Sequence, residues 1–406
     1  MSGSFRAAIS LRPALVLVVV LLSGCGILPR NAVPVDLMAE AVIPGMPNIR
    51  APAGRINPAI IDDLARSFSQ ESHVDFPAGP DGTVHYAHLA LSGGGANGAF
   101  GAGFMNGWTR MGNRPTFKIV TGVSTGALMA PYIFLGPKYD DTLRQFYTTT
   151  ASRNIFRMLS IVPQFLGGES LADTAPLRAT IEQTVDGAFL RAIAEAHESG
   201  RRLYIGTVDL DSQRFIVWNM GLIASSGAPG ALDLFRSVML ASASVPIAFP
   251  PVFVDVEAGG RRFDEMHVDG AVAANVFFTG GVFNFAAASE TAGRPRARED
   301  VYIIHNGQLL PDPGTTNRSL RSIAARAFST AAKAATLGAL FRIYAVAQRD
   351  EAGAKWITIP EGVELSGDET FDPVLMSKLY EIGFQKALAG PIWNTDPPGV
   401  RFRTEP

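Results

Sequence analysis

A serine flanked by glycines lies where the sequence pattern changes near residue 124. The segment GVSTG, from Gly122 to Gly126, follows an apolar run at 117–121 and precedes a helix-like run at 127–130. A serine exposed on a sharp strand-to-helix turn is the layout of a nucleophile elbow. Such a turn needs residues without a side chain two positions either side of Ser124, and Gly122 and Gly126 meet that need. The pattern alone fits an ordinary helix-capping serine equally well.

A glycine-rich loop follows an earlier strand candidate. The apolar run at 86–91 leads directly into Gly93, Gly94 and Gly95, and a helix-like pattern covers 102–111. Consecutive glycines at a strand end can direct several backbone N–H groups to one point. The loop therefore suits an anion, of which the oxyanion of acyl transfer is one.

The same loop also matches the dinucleotide-binding pattern G-x-G-x-x-G, at Gly93, Gly95 and Gly98. That motif requires an acidic residue about 20 positions further along to hold the ribose. No Asp or Glu occurs between Asp81 and Asp140. We therefore do not favour a nucleotide site.

A serine hydroxyl becomes a good nucleophile only when a base takes its proton. None of the six histidines has surroundings that mark it as that base. His267 is distinguished only by its neighbour Asp269, which precedes Gly270 in an apolar segment. An Asp-Gly pair by itself fits a plain β-turn.

In chain order, the glycine loop, the Ser124 motif and the Asp269-Gly270-Ala271 segment resemble the patatin-like phospholipases. The resemblance extends through 207–211 and 241–251, and it covers roughly residues 86–308. It implies a Ser–Asp dyad, with Ser124 as nucleophile and Asp269 as base.

The resemblance further implies that the backbone of Gly93, Gly94 and Gly95 supplies the oxyanion donors. The implied function is a serine acyl hydrolase, of the lipase or phospholipase A type, that acts on lipid esters without a cofactor. One position departs from the family pattern G-G-G-x-[R/K]-G, because Asn97 stands where the family commonly has a cation. That departure leaves the head-group preference open but does not affect the backbone donors.

The implied dyad places a demand on its aspartate. A free carboxyl group titrates near pH 4, which makes it a weak base toward a serine hydroxyl at neutral pH. Burial beside the apolar Val268 and Val272 would raise the pKa of Asp269.

The first 25 residues have the pattern of a bacterial lipoprotein signal. Residues 1–24 combine a short basic start with an apolar core at 14–22 that is too short to span a bilayer, and Leu-Ser-Gly-Cys ending at Cys25 resembles a lipobox. Cys25 is the only cysteine, which suits an anchor and excludes an intrachain disulfide. We expect a lipid-anchored protein of the bacterial cell envelope, in the outer membrane and facing the periplasm. The alternative is a signal peptide cut elsewhere, with Cys25 incidental.

Three regions are predicted, from composition and periodicity and, for the hydrolase domain, from the resemblance. Residues 1–24 form the signal peptide, 25–58 a Pro-rich extended tether, and 59–406 a hydrolase domain with a C-terminal helical extension. Strand and helix candidates, including one helical stretch over 177–198, alternate in the domain. This alternation predicts an α/β fold with a mainly parallel sheet flanked by helices on both faces.

Two segments have two interpretations each. The Ala-rich segment 316–349 has helical spacing, and we expect it to pack on the sheet or to face the acyl chain as a lid. The segment 277–285 has four phenylalanines around a glycine pair, which fits either core packing or a mobile apolar flap.

The overall charge and the motifs exclude several classes of function. The formal net charge is −2 and no basic patch is present, so nucleic acid is not an expected partner. The chain lacks H-E-x-x-H, paired cysteines and a calcium-loop pattern, so no metal is expected. The sequence does not indicate protein partners.

Two rival functions stay open at this point. One is a Ser-His-Asp esterase of the α/β-hydrolase type, with Ser124, an acid such as Asp255 or Asp264, and His305 in an allowed chain order. The other is a non-catalytic envelope lipoprotein that binds lipid.

Overall fold

The computed structural model describes residues 29–160, 168–294, 297–390 and 393–398. The strands in these ranges are β1 Arg50–Pro52, β2 His85–Leu91, β3 Phe117–Gly122, β4 Arg157–Met158, β5 Ala172–Asp173, β6 Arg202–Asp209, β7 Arg214–Asn219, β8 Val252–Ala258, β9 Arg261–Asp269, β10 Arg298–His305 and β11 Gly353–Thr358. The α-helices are α1 Pro58–Gln70, α2 Gly98–Arg110, α3 Thr125–Leu135, α4 Asp140–Thr149, α5 Ser152–Ile155, α6 Ala175–Thr184, α7 Gly187–Glu198, α8 Met220–Ser225, α9 Ala231–Ser242, α10 Phe285–Thr291, α11 Leu320–Arg349 and α12 Pro373–Leu388. None of these helices is long and apolar enough to cross a membrane.

One nine-stranded sheet organises the chain. Its main path runs β1-β7-β6-β3-β2-β10-β11, and the β8–β9 hairpin joins it through β6. The run from β6 to β11 is parallel, whereas β1, β7 and the hairpin are antiparallel. The predicted α/β fold with a mainly parallel sheet is confirmed.

Helices cover both faces of this sheet, and the strands show why. Alternate residues of a strand point to opposite faces, and in β2 Leu89 and Leu91 join one apolar cluster while Ala90 joins the other. The first cluster includes apolar side chains of α2, α3, α9 and α12, and the second includes those of α1, α10 and the second half of α11. The central strands are therefore buried on both sides, as their continuous apolar runs indicated.

One predicted helix is divided in two. The helical pattern over 177–198 predicted a single element, but α6 ends at Thr184 and α7 begins at Gly187. The Asp186 carboxylate between them accepts the N–H of Phe189 at 2.8 Å, which caps a new helix.

The segment 29–58 is not an extended tether, and that prediction was wrong for these residues. Val33, Ile43, Met46 and Ile49 are buried in the first apolar cluster, and β1 pairs with β7. Frequent prolines prevent long regular structure, but they do not prevent the apolar residues between them from packing. Residues 1–24 and Cys25 lie outside the described residues.

The segment also makes charged contacts with the domain. Arg30 forms ion pairs with Asp211 and Asp264, each at 2.7 Å. Arg50 forms a salt bridge with Glu265 of β9. The segment is therefore attached to the same hairpin that carries Asp269.

The phenylalanine-rich segment 277–285 belongs to the core. Phe277, Phe278, Phe283 and Phe285 are all buried in the second apolar cluster. Of the two interpretations, core packing is therefore the one that agrees with the structure.

Close helix packing yields a stability prediction. α2 and α12 cross so closely that a Cβ at Gly103 would overlap the carbonyl oxygen of Tyr380, whereas a Cβ at Gly338 in α11 would meet nothing within 4 Å. Gly103→Ala should lower the free energy of unfolding by about 2 kcal/mol or more, because backbone cannot move aside as a side-chain tip does. Gly338→Ala should raise it by about 0.5–1 kcal/mol. Urea unfolding of both variants tests this pair, and equal effects would contradict the packing.

Candidate active site

The site lies where two strands of opposite direction meet end to end. β3 runs parallel to β6 and its last residue, Gly122, pairs with Ile205. β9 runs antiparallel to β6 and its last residue, Asp269, pairs with Thr207. Since β7 occupies the other side of β6, the carboxyl ends of β3 and β9 point at each other across Gly206. Ser124 and Asp269 therefore reach the same place from opposite directions.

Ser124 occupies a sharp turn between β3 and α3. Its backbone has φ 55° and ψ −126°, a conformation that an L-residue rarely adopts. A Cβ at Gly122 would lie 2.5 Å from the carbonyl oxygen of Gly126, and a Cβ at Gly126 would lie 2.7 Å from that of Ser92. The steric reason for two glycines around the serine is thus present in the structure.

Ser242, at the last turn of α9, ties this turn to the sheet. Its hydroxyl oxygen accepts the N–H of Ser124 at 3.0 Å and donates its own hydrogen to the carbonyl of Gly206 at 2.7 Å. The Ser242 side chain is fully buried. Two residues later, the carbonyl of Ser244 accepts the N–H of Asp269 at 2.9 Å. The end of α9 therefore contacts both candidate residues, and the sequence carried no signal for that role beyond an Ala/Ser-rich helix end.

The Asp269 carboxylate is almost completely buried. Oδ1 accepts the N–H of Ala271 at 2.8 Å, whereas Oδ2 makes no hydrogen bond of normal geometry with any described residue. Burial raises the pKa of Asp269 to about 7, against the smaller lowering by the Ala271 N–H and the Ser124 hydroxyl. The expected burial beside Val268 is present, but Val272 is 43% exposed and contributes less than the sequence suggested.

The glycine loop carries fewer free donors than expected. The N–H of Gly93 donates to the carbonyl of Asn275 at 2.9 Å, so Gly93 cannot act as an oxyanion donor in this state. The N–H groups of Gly94 and Gly95 have no acceptor among the described residues. Both glycines have positive φ, 156° and 56°, which other residues rarely adopt.

His305 supports this loop and does not pair with Ser124. The Ser92 hydroxyl donates its hydrogen to the carbonyl of Gly93 at 2.7 Å. Nδ1 of His305 lies 3.1 Å from the Ser92 hydroxyl oxygen and is therefore the donor to that hydroxyl oxygen. Burial, with a contribution from the charge of Lys333, lowers the pKa of His305 to about 4. His305 is therefore neutral at physiological pH.

Neither acid of the alternative triad reaches His305. Asp264 accepts a hydrogen bond from Arg30 at 2.8 Å, and Asp255 is exposed on β8. No carboxylate contacts His305 among the described residues. The structure therefore does not assemble the Ser-His-Asp arrangement.

A cavity of about 360 Å³ opens onto Ser124 and Asp269. The first half of α11 forms one wall of it, so this helix both packs on the sheet and faces the site. The other lining residues that matter here are Gly93, Gly94, Gly95, Asn97, Asn275 and His305. A second cavity, of about 280 Å³, lies between α3, α4 and α6 and has no charged residue in its lining.

Comparison with protein families identifies the central region. Residues 89–280 match the family model described as patatin-like phospholipase. The chain carries a patatin-like phospholipase domain. The matched range includes both Ser124 and Asp269, and the match supports a lipid acyl hydrolase at the level of the family.

Solved structures and curated proteins were also compared with the chain. VipD from Legionella pneumophila is similar with a TM-score of 0.35 and 10% identity, over 78% of this chain and 69% of that one. Human GIVD cytosolic phospholipase A2 is similar with a TM-score of 0.27 and 9% identity, over 64% of this chain and 49% of that one. No curated protein sequence matches the chain.

The contacts of Ser242 in the patatin-like domain give a prediction. Ser242→Ala should lower kcat on ester substrates about ten- to hundredfold with little change in KM, because the buried N–H of Ser124 would lose its acceptor. Ser244→Ala is the matched control, since among the described residues the Ser244 hydroxyl bonds only to the Leu240 carbonyl within the same turn. Steady-state hydrolysis compares the two variants, and equal activity would show that Ser242 does not position Ser124.

Proposed function

We propose that this protein hydrolyses acyl esters of lipids through a dyad of Ser124 and Asp269. One observation carries the proposal: a serine on a strained turn and a buried carboxylate with an unpaired oxygen border the same cavity. The unpaired N–H groups of Gly94 and Gly95 border that cavity too. This arrangement supplies a nucleophile, a base and donors for a developing negative charge.

The chemistry follows in two halves. Ser124 Oγ attacks the carbonyl carbon of the ester while the Asp269 carboxylate takes the hydroxyl proton. The oxyanion of the tetrahedral intermediate accepts hydrogen bonds from the N–H groups of Gly94 and Gly95. The intermediate collapses, the C–O bond to the alcohol breaks, and Asp269 returns its proton to the leaving oxygen.

Water then releases the acyl group. The Asp269 carboxylate takes a proton from water as the water oxygen attacks the acyl-enzyme carbon. The second tetrahedral intermediate breaks its bond to Ser124 Oγ, which recovers the proton, and a free fatty acid leaves. The raised pKa of Asp269 suits this sequence, because a base is most effective when its pKa lies near the working pH.

The dyad predicts both variant activities and a pH profile. Ser124→Ala and Asp269→Asn should each lose at least about a thousandfold in kcat/KM. In the wild type, kcat/KM should rise with pH through about 7 and then level off, because only the charged carboxylate of Asp269 can accept the proton. Hydrolysis of a chromogenic ester and of a phospholipid provides the measurement, and inactivity of the wild type on every ester would favour lipid binding without catalysis.

Control variants separate the dyad from the triad. Two variants should each lose less than about tenfold in kcat/KM. One is Asp255→Asn, on the exposed side of β8, and the other is His305→Gln, whose side chain can still donate to Ser92. Loss of activity in His305→Gln together with an active Asp269→Asn would contradict the dyad.

A stability measurement tests whether Asp269→Asn removes a carboxyl group whose pKa is raised in the folded protein. Since its pKa is raised in the folded state, the wild-type carboxyl stabilises the fold at low pH and loses that contribution as pH rises toward and through about 7. Asn cannot lose a proton. The free energy of unfolding of the variant relative to wild type should therefore increase between about pH 5 and about pH 8.

We also propose that residues 1–24 direct export and that Cys25 becomes a lipid anchor in the outer membrane. Support comes from the lipobox-like sequence that ends at Cys25. The short separation between Cys25 and Arg30 then limits how far the domain can lie from the anchor. Arg30 is bound to the domain by two ion pairs, and five residues extend at most roughly 18 Å. An anchor at Cys25 would therefore hold the domain close to the membrane surface.

Expression of the full chain in a bacterial host tests the anchor. The wild type should incorporate a labelled fatty acid and sediment with outer membranes, whereas Cys25→Ser should not be labelled. An unlabelled wild type, or membrane association that Cys25→Ser does not change, would contradict the anchor.

A further inference from the structure

Among the described residues that line the catalytic cavity, two are charged and one of these is a cation. The acidic side chain is that of Asp269, and the cationic one is that of Lys333. His305, which also lines the cavity, is neutral. Asn97, on the glycine-rich side of the same cavity, has no charge. The positive charge available to a ligand in this cavity therefore comes from α11.

Lys333 is held in place without being neutralised. Its ammonium group donates to the carbonyl of Leu310 at 2.7 Å, and it forms no salt bridge with any described carboxylate. An ammonium group has three donors, so two remain for other partners. Lys333 is half-buried as a residue, whereas the hydrogen bond of its ammonium group to Leu310 is exposed to solvent.

The charge of Lys333 acts within the cavity. It contributes to keeping His305 unprotonated, although no hydrogen bond joins the two residues. The lysine also lies one helical turn from Thr336, whose hydroxyl accepts the amide of Asn275 at 3.0 Å. The carbonyl of Asn275 in turn accepts the Gly93 N–H. The Lys333 side chain and the glycine loop therefore line adjacent parts of the same cavity.

A purely structural role does not require a charge at this position. The carbonyl of Leu310 would be satisfied equally well by a neutral donor, so its hydrogen bond does not account for the charge of Lys333. An anionic ligand would form a charge-assisted hydrogen bond with the remaining donors of the ammonium group.

We propose that Lys333 selects acyl esters whose alcohol part carries a phosphate close to the ester, as in a glycerophospholipid, over uncharged glycerides. This inference rests on the proposed hydrolase function and names its substrate class. Lys333 binds the phosphate, while Ser124 and Asp269 act on the ester.

Binding without turnover provides the first test. In the full chain carrying Ser124→Ala, we would measure the binding of two ether lipids with the same alkyl chain, 1-alkylglycerol 3-phosphate and 1-alkylglycerol. Lys333→Gln should weaken the binding of the phosphate lipid about tenfold and leave the binding of the uncharged lipid unchanged. Lys333→Arg should retain most of the difference in affinity between the two lipids. Lys138→Gln, which removes the same charge from the short turn that follows α3, should change the binding of neither lipid.

Competition identifies the source of the phosphate. Inorganic phosphate at the concentration of the lipid should not displace the phosphate lipid, because it lacks the alkyl chain that the rest of the cavity contacts. Displacement by inorganic phosphate, or an equal effect of Lys333→Gln on both lipids, would overturn the inference.

Kinetics separates this inference from the proposed function. With Ser124 intact, Lys333→Gln should lower the ratio of kcat/KM for 1-acylglycerol 3-phosphate to that for 1-acylglycerol about tenfold. Discrimination in binding without hydrolysis would retain Lys333 as the selector and reject the hydrolase. Hydrolysis of both esters with an unchanged ratio would retain the hydrolase and reject the selector.

Discussion

The arrangement of the site depends on two strands that end head-on beside a third. β6 is paired along one side first with β3 and then with β9, and these neighbours run in opposite directions. Their ends meet around Gly206, where backbone approaches so closely that a Cβ at Gly270 would lie 2.5 Å from the Gly206 carbonyl oxygen. Two residues that are far apart in the chain are thereby aimed at one point by backbone pairing, which is stiffer than any loop contact.

A buried carboxylate is costly, and the surroundings of Asp269 limit that cost only in part. One oxygen accepts a backbone N–H while the other has no partner of normal geometry, so the charged form stays unfavourable and the pKa is high. Glu265, on the same strand, has a pKa shift in the opposite direction. Burial alone would raise the pKa of Glu265, but hydrogen bonds with His267 and Arg50 and the charge of Arg50 outweigh burial and lower the pKa to about 2. A single strand thus carries one carboxyl group with a lowered pKa, Glu265, and one whose pKa is raised to near neutral, Asp269.

The parts of the chain on either side of the family-matched region contribute to the site as well. The N-terminal segment, through Arg50, braces β9 close to Asp269. α11 lies beyond the matched range, closes the cavity and supplies its one cation. The family-matched region thus contains Ser124 and its turn, while the charge that a ligand would meet comes from a helix outside that region.

The sequence by itself determined the features that depend on adjacent residues. The glycines around Ser124, the glycine loop and the continuous apolar strands follow from local sterics and periodicity, and each is legible within about ten residues. The tertiary structure decided everything that depends on pairing between distant residues. It assigned the Gly93 N–H to Asn275, made Ser242 a partner of Ser124, buried the phenylalanines at 277–285 and packed residues 29–58 on the domain. The physical reason is that a hydrogen-bond donor or an apolar side chain has many acceptable partners, and only the fold brings one of them within reach.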